Sequence, residues 1–328
     1  MHMADALISP AVGATFWVAS AATLAYSARV LRKNCDESRI PLMGVLAAFI
    51  FAAQMINFTI PGTGSSGHLG GGLILAIFLG PWAGFLAMAS VLTVQALFFA
   101  DGGLLALGCN IFNLGVPTCF IAYPLIYRPL IGSNFGVNRL LVVSLLAAVV
   151  GLQLGAFGVV LETTFSGMAE LPFSTFVLAM QPLHLGIGIV EGLVTAAVVT
   201  FIYKARPDFV SASELVQTPV LSLKQVAVTL LVVAFLTGGF FSWFSSEHPD
   251  GLEWSIARVS GKEELESPEH SLHVSLGLLQ EKTALLPGYS FKGGEGAKSG
   301  TSTAGVVGGF LTLAVVGGIA VALRKKKP

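Results

Sequence analysis

The stretch Leu69-Gly70-Gly71-Gly72-Leu73-Ile74-Leu75-Ala76-Ile77-Phe78-Leu79-Gly80-Pro81 decides how this chain folds. It carries no charge, and it ends at a Gly-Pro pair, which breaks a helix. Crossing a bilayer takes about 20 apolar residues in a helix, so a run near half that length enters a membrane without crossing it. In transporters, half-helices of this kind end at binding sites. Charge-poor sequence lies on both sides. The 328 residues are 54% hydrophobic and 11% charged, against about 25% charge in a soluble domain. The chain reads as an all-α polytopic membrane protein.

Outward from the short run, seven apolar spans come first and two follow after a break. The first two are Ala11 to Leu31 and Ile40 to Asn57. The short third is Leu69 to Leu79, and the fourth runs from Pro81 to Ala100. Then come Leu104 to Tyr127, Leu140 to Leu161 and Phe176 to Tyr203. The last two are Val226 to Phe244 and Gly305 to Leu323. Basic residues fall on alternate connections. Arg29, Arg32, Lys33 and Arg39 follow the first span, Arg128 and Arg139 the fifth, and Lys204, Arg206 and Lys224 the seventh. The stretches Phe58 to His68, Asp101 to Gly103 and Glu162 to Phe173 hold no Lys or Arg. Basic loops stay cytoplasmic. The N-terminus is therefore expected outside, and the terminal Arg324-Lys325-Lys326-Lys327 inside.

Three regions are expected: a membrane unit at 1–205, a cytoplasmic linker at 206–221 and a two-span unit at 222–328. Polar sequence at 245–303 forms an external segment between the last two spans and holds His248, His270 and His273. Part of it, Gly293 to Gly300, is low-complexity and expected to be flexible. No Lys or Arg precedes the first span, so the start is not expected to be a cleaved signal. The cysteines, Cys35, Cys109 and Cys119, include no C-x-x-C pair and are expected as free thiols. The net charge is zero and points to no nucleic acid.

Chemistry gathers at the start of the chain. The Met1 amine, the His2 amide and the His2 imidazole can close rings on one metal ion in a plane, which suits Ni(II) and Cu(II). The fourth corner needs another nitrogen. His68 is the candidate, because the charge rule puts it on the same external face, in the uncharged, glycine-rich loop Pro61 to Gly67. Polar residues within apolar spans are costly and tend to be functional. Asn57, Asn110, Asn113, His184 and Glu191 are candidates to orient the metal-binding rings through their second nitrogens. Asn57 leads by position. The bland reading of each is a hydrogen bond between helices. Ala21 with Ala25 and Ala48 with Ala52 would allow close helix approach.

Met1-His2, Gly67-His68-Leu69-Gly70, Asn110-Ile111-Phe112-Asn113 and His184 to Gly192 resemble the substrate-binding S-component of nickel/cobalt energy-coupling-factor transporters, the CbiM/NikM family. That resemblance covers about residues 1–205. Pro249-Asp250-Gly251-Leu252-Glu253 resembles the PDGLE signature of an auxiliary subunit, fused here over roughly 222–328. Relatives often begin Met-His-Ile, and this chain has Met3, which leaves the proposed ligands intact. The resemblance implies a seven-helix bundle and a planar nitrogen site from Met1, His2 and His68. It also implies a coupling membrane protein and two cytoplasmic ATPases as partners. The metal substrate it implies is Ni(II), with Co(II) as the rival, and the auxiliary region would help load it.

Two other classes compete. An intramembrane metalloenzyme would need an H-E-x-x-H helix, and none is present. The glycine-rich Gly293 to Gly300 lacks the glycine a phosphate-binding loop has directly before its lysine, so a non-catalytic subunit is expected. An ion-gradient-coupled carrier or channel would use His184 and Glu191, which lie about two turns apart, as a proton relay.

Overall fold

The computed structural model describes residues 2–34, 40–132, 136–206, 220–262, 265, 271–293 and 298–323. Met1, Cys35, Arg39, the linker at 207–219, His270, the low-complexity residues 294–297 and the basic residues 324–327 lie outside the described residues.

The chain is mostly helical. Helix α1 spans Pro10–Asn34 and α2 spans Ile40–Gln54. A small antiparallel hairpin follows, with β1 at Phe58–Ile60 and β2 at Ser65–Gly67. Among the described residues, the all-α expectation is corrected here. The physical cause is the turn Pro61-Gly62-Thr63-Gly64, in which Gly62 and Gly64 take φ of 77° and 71° and reverse the chain tightly. Helix α3 spans Gly72–Leu79, is buried along its length and packs against α4, Pro81–Phe99. The helix starts three residues later than the apolar run does.

Helix α5, Leu107–Val116, continues through wide π-helical turns at Pro117–Tyr127 into α6, Arg128–Ile131. Pro124 lies inside the wide stretch and brings no N–H to it. Helices α7, Val137–Ser166, and α8, Phe173–Ala205, form the most extensive packed pair. Gly188 and Gly192 of α8 lie against Val149 and Leu145 of α7, where a side chain would collide.

The remaining helices are α9, Leu223–Gly239, the short α10, Gly251–Ser260, α11, Ser271–Thr283, and the long α12, Lys298–Leu323. Helices α9 and α12 both pack on α2. Ala48 and Ala52 of α2 are buried, whereas Ala21 and Ala25 of α1 are exposed.

Among the described residues, six helices are long and apolar enough to cross a membrane: α1, α4, the run Leu107–Ile131, α7, α8 and α12. Helices α2 and α9 are apolar but shorter. Between α9 and α12 the polar segment carries α10 and α11. Helix α10 starts with a capping box in which Asp250 accepts from the Leu252 and Glu253 amides and Glu253 accepts from the Asp250 amide.

Candidate metal centre

The site is built from the extended start of the chain. Asn110 on α5 pins it through main-chain groups: its Oδ1 accepts from the Met3 amide at 2.8 Å, and its Nδ2 donates to the Met3 carbonyl at 3.2 Å. The Gly103 amide donates to that carbonyl at 2.9 Å. Gly102, with φ of 81°, lets the loop after α4 approach, since a Cβ there would lie 2.8 Å from Asn110 Nδ2 and 3.3 Å from His2 Cβ. Met3 is fully buried, near Asn113, whose Nδ2 donates to Glu162 at 2.7 Å.

With this extended segment fixed, the side chain of His2 is only 7% exposed and stacks on His68, ring centroids 4.9 Å apart and 27° between planes. His68 follows directly after β2. Its Nδ1 lies 3.0 Å from the Leu69 carbonyl, which can only accept. That bond places the proton on Nδ1 and the lone pair on Nε2. Burial foremost pushes the His68 imidazole down to about 3. The ring is therefore neutral at physiological pH, as a metal ligand must be. His2 Nδ1 lies 2.7 Å from Asp101 Oδ1. Burial alone would raise the Asp101 carboxyl, but His2 and the Tyr289 hydroxyl hold it well below the usual carboxylate range.

The loop carrying His68 is held from beneath. Glu191 on α8, fully buried, accepts from the Gly70 amide at 2.7 Å and the Gly71 amide at 3.0 Å. Gln54 donates to the Gly70 carbonyl at 2.8 Å and accepts from Gln95 at 2.9 Å. Gly71 takes φ of 78°, a left-handed backbone that a helix does not run through, which accounts for the late start of α3; its carbonyl accepts from the Leu75 amide as the helix begins.

The C-terminal unit covers the site. The Ser66 amide donates to the Pro249 carbonyl at 2.8 Å. Asp250 Oδ2 then lies 4.0 Å from His68 Nε2. Gly251 lies against the His184 ring, whose Nδ1 is 2.8 Å from the Met180 carbonyl. A cavity of about 470 Å³ opens here, lined by His2, Asn57, His68, Asp101, Asp250 and Tyr289 among others.

His2 and His68 are thus brought together, and Met1 lies outside the described residues. The other sequence candidates act mainly on backbone. Asn57 lines the cavity and bonds Ser245 and Ser246 through its main chain. Asn110 holds Met3, Asn113 holds Glu162, Glu191 holds Gly70 and Gly71, and His184 lies under Gly251. The Nδ1 partners of the two rings are Asp101 and the Leu69 carbonyl, neither of which sequence reading selected. A lone acid in an otherwise uncharged turn, Asp101-Gly102-Gly103, was the available signal for Asp101. Nothing in the sequence marks a particular carbonyl.

The geometry defines a multi-pass helical membrane protein with a buried imidazole pair at its N-terminus, closed over by a second unit. The chain belongs to the family described as the cobalt uptake substrate-specific transmembrane region, whose model matches residues 2–209, and a PDGLE domain matches 224–325. It is 33% identical over 315 residues, 96% of each chain, to a putative fused nickel transport protein of Archaeoglobus fulgidus. It is 41% identical over 212 residues to a putative metal transport protein of Haloquadratum walsbyi, covering 64% of this chain and 93% of that one. Among solved structures, a transition metal transporter aligns with TM-score 0.55 and 31% identity, over 62% of this chain and 93% of its own.

Proposed function

We propose that this chain is the substrate-binding membrane component of an ATP-driven uptake transporter for Ni(II), with Co(II) as the alternative substrate. It takes the metal outside the cell and delivers it inward with a coupling membrane protein and two cytoplasmic ATPases. Its N-terminal unit is a seven-span bundle. Two further spans bracket the external segment, the N-terminus lies outside and the C-terminus is cytoplasmic. The metal sits in a plane of four nitrogens, from the Met1 amine, the His2 amide and ring, and His68 Nε2.

The observation that carries this reading is the pairing of His2 with His68, 66 positions apart in sequence, in a buried contact with His68 Nε2 presented as the lone-pair nitrogen. Fused relatives named for nickel transport support nickel over cobalt. A gradient-coupled relay through His184 and Glu191 finds less support, because Glu191 accepts two loop amides and His184 Nδ1 is bonded within its own helix.

The test is calorimetric titration with Ni(II) of the chain with its native start and of one extended by a residue before Met1. The extension turns the amine into an amide and moves His2 along the chain, so tight binding should be lost. Equal, His68-dependent affinity in both forms would overturn the reading. Uptake against a gradient should require the partner ATPases.

A further inference from the structure

The two imidazoles are not equally ready for a metal. His68 has its Nδ1 on the Leu69 carbonyl and its lone pair on Nε2. His2 has the same arrangement, but the nitrogen its chelate needs is the engaged one. Its Nδ1 is in the contact with Asp101, and its Nε2 is the buried nitrogen without a partner. A ring closed by a metal on the His2 amide and imidazole runs metal–N–Cα–Cβ–Cγ–Nδ1. Nε2 is on the far side of the ring and cannot close it. His2 therefore has to leave Asp101 before it can chelate.

Asp101 is itself held in place. Tyr289, from the segment between α11 and α12, donates its hydroxyl to Asp101 Oδ2 at 2.5 Å. Its ring stacks on Phe99, centroids 5.1 Å apart and 17° between planes, and meets Phe51 edge-on at 6.3 Å. A second, independent observation concerns the backbone. Tyr289 has φ of 60°, and Ala100, directly before Asp101, has φ of 53°. Among the described residues these are the only non-glycine residues with positive φ. L-residues there are strained by roughly 1 kcal/mol or more, and such strain persists where surrounding structure over-determines it, often at functional sites. Both strained residues frame the same hydrogen bond.

We propose that Asp101 and Tyr289 form a latch on His2, keeping its chelating nitrogen in a bond that the metal must displace, so that the C-terminal unit sets the rate at which the N-terminus closes on its cargo. Tyr289 is then a positioning residue that acts through Asp101. The inference rests on the metal reading given above.

The test uses the full chain with its native start, as wild type, Tyr289→Phe and Asp101→Asn. Stopped-flow absorbance with Ni(II) gives association rates, and a chelator chase gives dissociation rates. Tyr289→Phe keeps the stacked ring and loses the hydroxyl. Association should rise about tenfold, the scale of one hydrogen bond to a charged group removed from the unloaded state, and at least as much in Asp101→Asn. Dissociation should change by less than about twofold in both, on the same scale. Unchanged association would make Tyr289 a packing residue, and faster dissociation would make the pair a support of the loaded site; either overturns the latch. Slower association in Asp101→Asn would make that carboxylate an attractor of cations and also overturns it. Nitrogen chemical shifts of the His2 ring in metal-free wild type should report the proton on Nδ1, and a proton on Nε2 overturns the latch without reference to metal. Wild type that binds no Ni(II) would instead sink the metal reading, whereas normal binding with unaltered rates would sink only the latch.

Discussion

Glu191→Gln is the perturbation that separates a scaffold for His68 from mere helix packing. The carboxylate accepts from two adjacent main-chain amides, Gly70 at 2.7 Å and Gly71 at 3.0 Å, at a site shut off from solvent. Glutamine has nearly the same shape but only one acceptor oxygen, and its NH₂ would face an N–H. One amide loses its partner, at roughly 1–3 kcal/mol, and the other loses a bond to a charged acceptor, itself roughly 1.5–3 kcal/mol before the amide oxygen replaces part of it. A net cost of about 3 kcal/mol follows from those ranges. If the loop must re-form against that cost for His68 to bind metal, Ni(II) affinity falls by up to about a hundredfold, at 1.4 kcal/mol per factor of ten. The variant should also unfold at lower temperature in detergent. Calorimetric titration and thermal unfolding on the same sample give both numbers. Native affinity with native unfolding temperature would refute the reasoning, because the two amides would then have needed no acceptor. Lowered stability with native affinity would refute the link between the loop and the metal.

Two other outcomes are expected. His68 is held at about 3, below the ordinary imidazole value of 6.5, so in the acid range the unfolded chain binds a proton that the folded chain refuses. Folding stability should then fall as pH drops from about 6.5 toward 3, and thermal unfolding of wild type against His68→Gln between pH 7 and 4 should show the wild type losing more. In topology mapping, a reporter placed within 290–302 should read external and one after Lys327 cytoplasmic; the reverse would undo the argument that His2 and His68 meet on the outer side.

Periodicity and charge carried the helices well. Each apolar run contains a helix, and the ends differ where a side chain outside the run takes over the backbone. Leu69 to Leu79 is the clearest case. Its composition says helix throughout, but Gly71 turns left-handed at φ of 78°, its amide and that of Gly70 accepted by Glu191 more than a hundred residues later, and α3 begins only at Gly72. The glycine triplet permits that turn, but no local signal carries its distant partner. The hairpin at Phe58–Gly67 was hidden for a related reason. Its turn glycines were legible, but its second strand is Ser-Ser-Gly, poor in strand-forming residues, and it is held by Phe58–Ile60 and by the Pro249 carbonyl. His2 and His68 were legible because two rare imidazoles in a charge-poor chain fell on one side. Asp101 left only the weak mark of a lone acid in a glycine turn, and Tyr289 left none, because a tyrosine after Pro-Gly looks like an ordinary surface residue until its contact is seen.

The covering segment bears on why both units share one chain. Helices α9 and α12 lean on α2, but the bonds nearest the site come from the stretch between them. The Ser246 amide reaches the Asn57 carbonyl, the Ser66 amide reaches Pro249, and Gln280 donates to the Ala96 and Gly102 carbonyls. The Leu285 amide meets Phe98, and His273 Nε2 lies 3.0 Å from the Ile8 carbonyl. These contacts fall on three pieces of chain: the N-terminal segment, the end of α4 with the loop after it, and the hairpin that leads to His68. Those pieces carry or flank His2, Asp101 and His68. Each bond is individually worth about 1 kcal/mol, and a separate subunit would have to form them at the entropic cost of association. Covalent fusion replaces that cost with a high effective concentration. The contact set therefore favours a unit that stays on the site through loading over one that arrives, delivers metal and leaves.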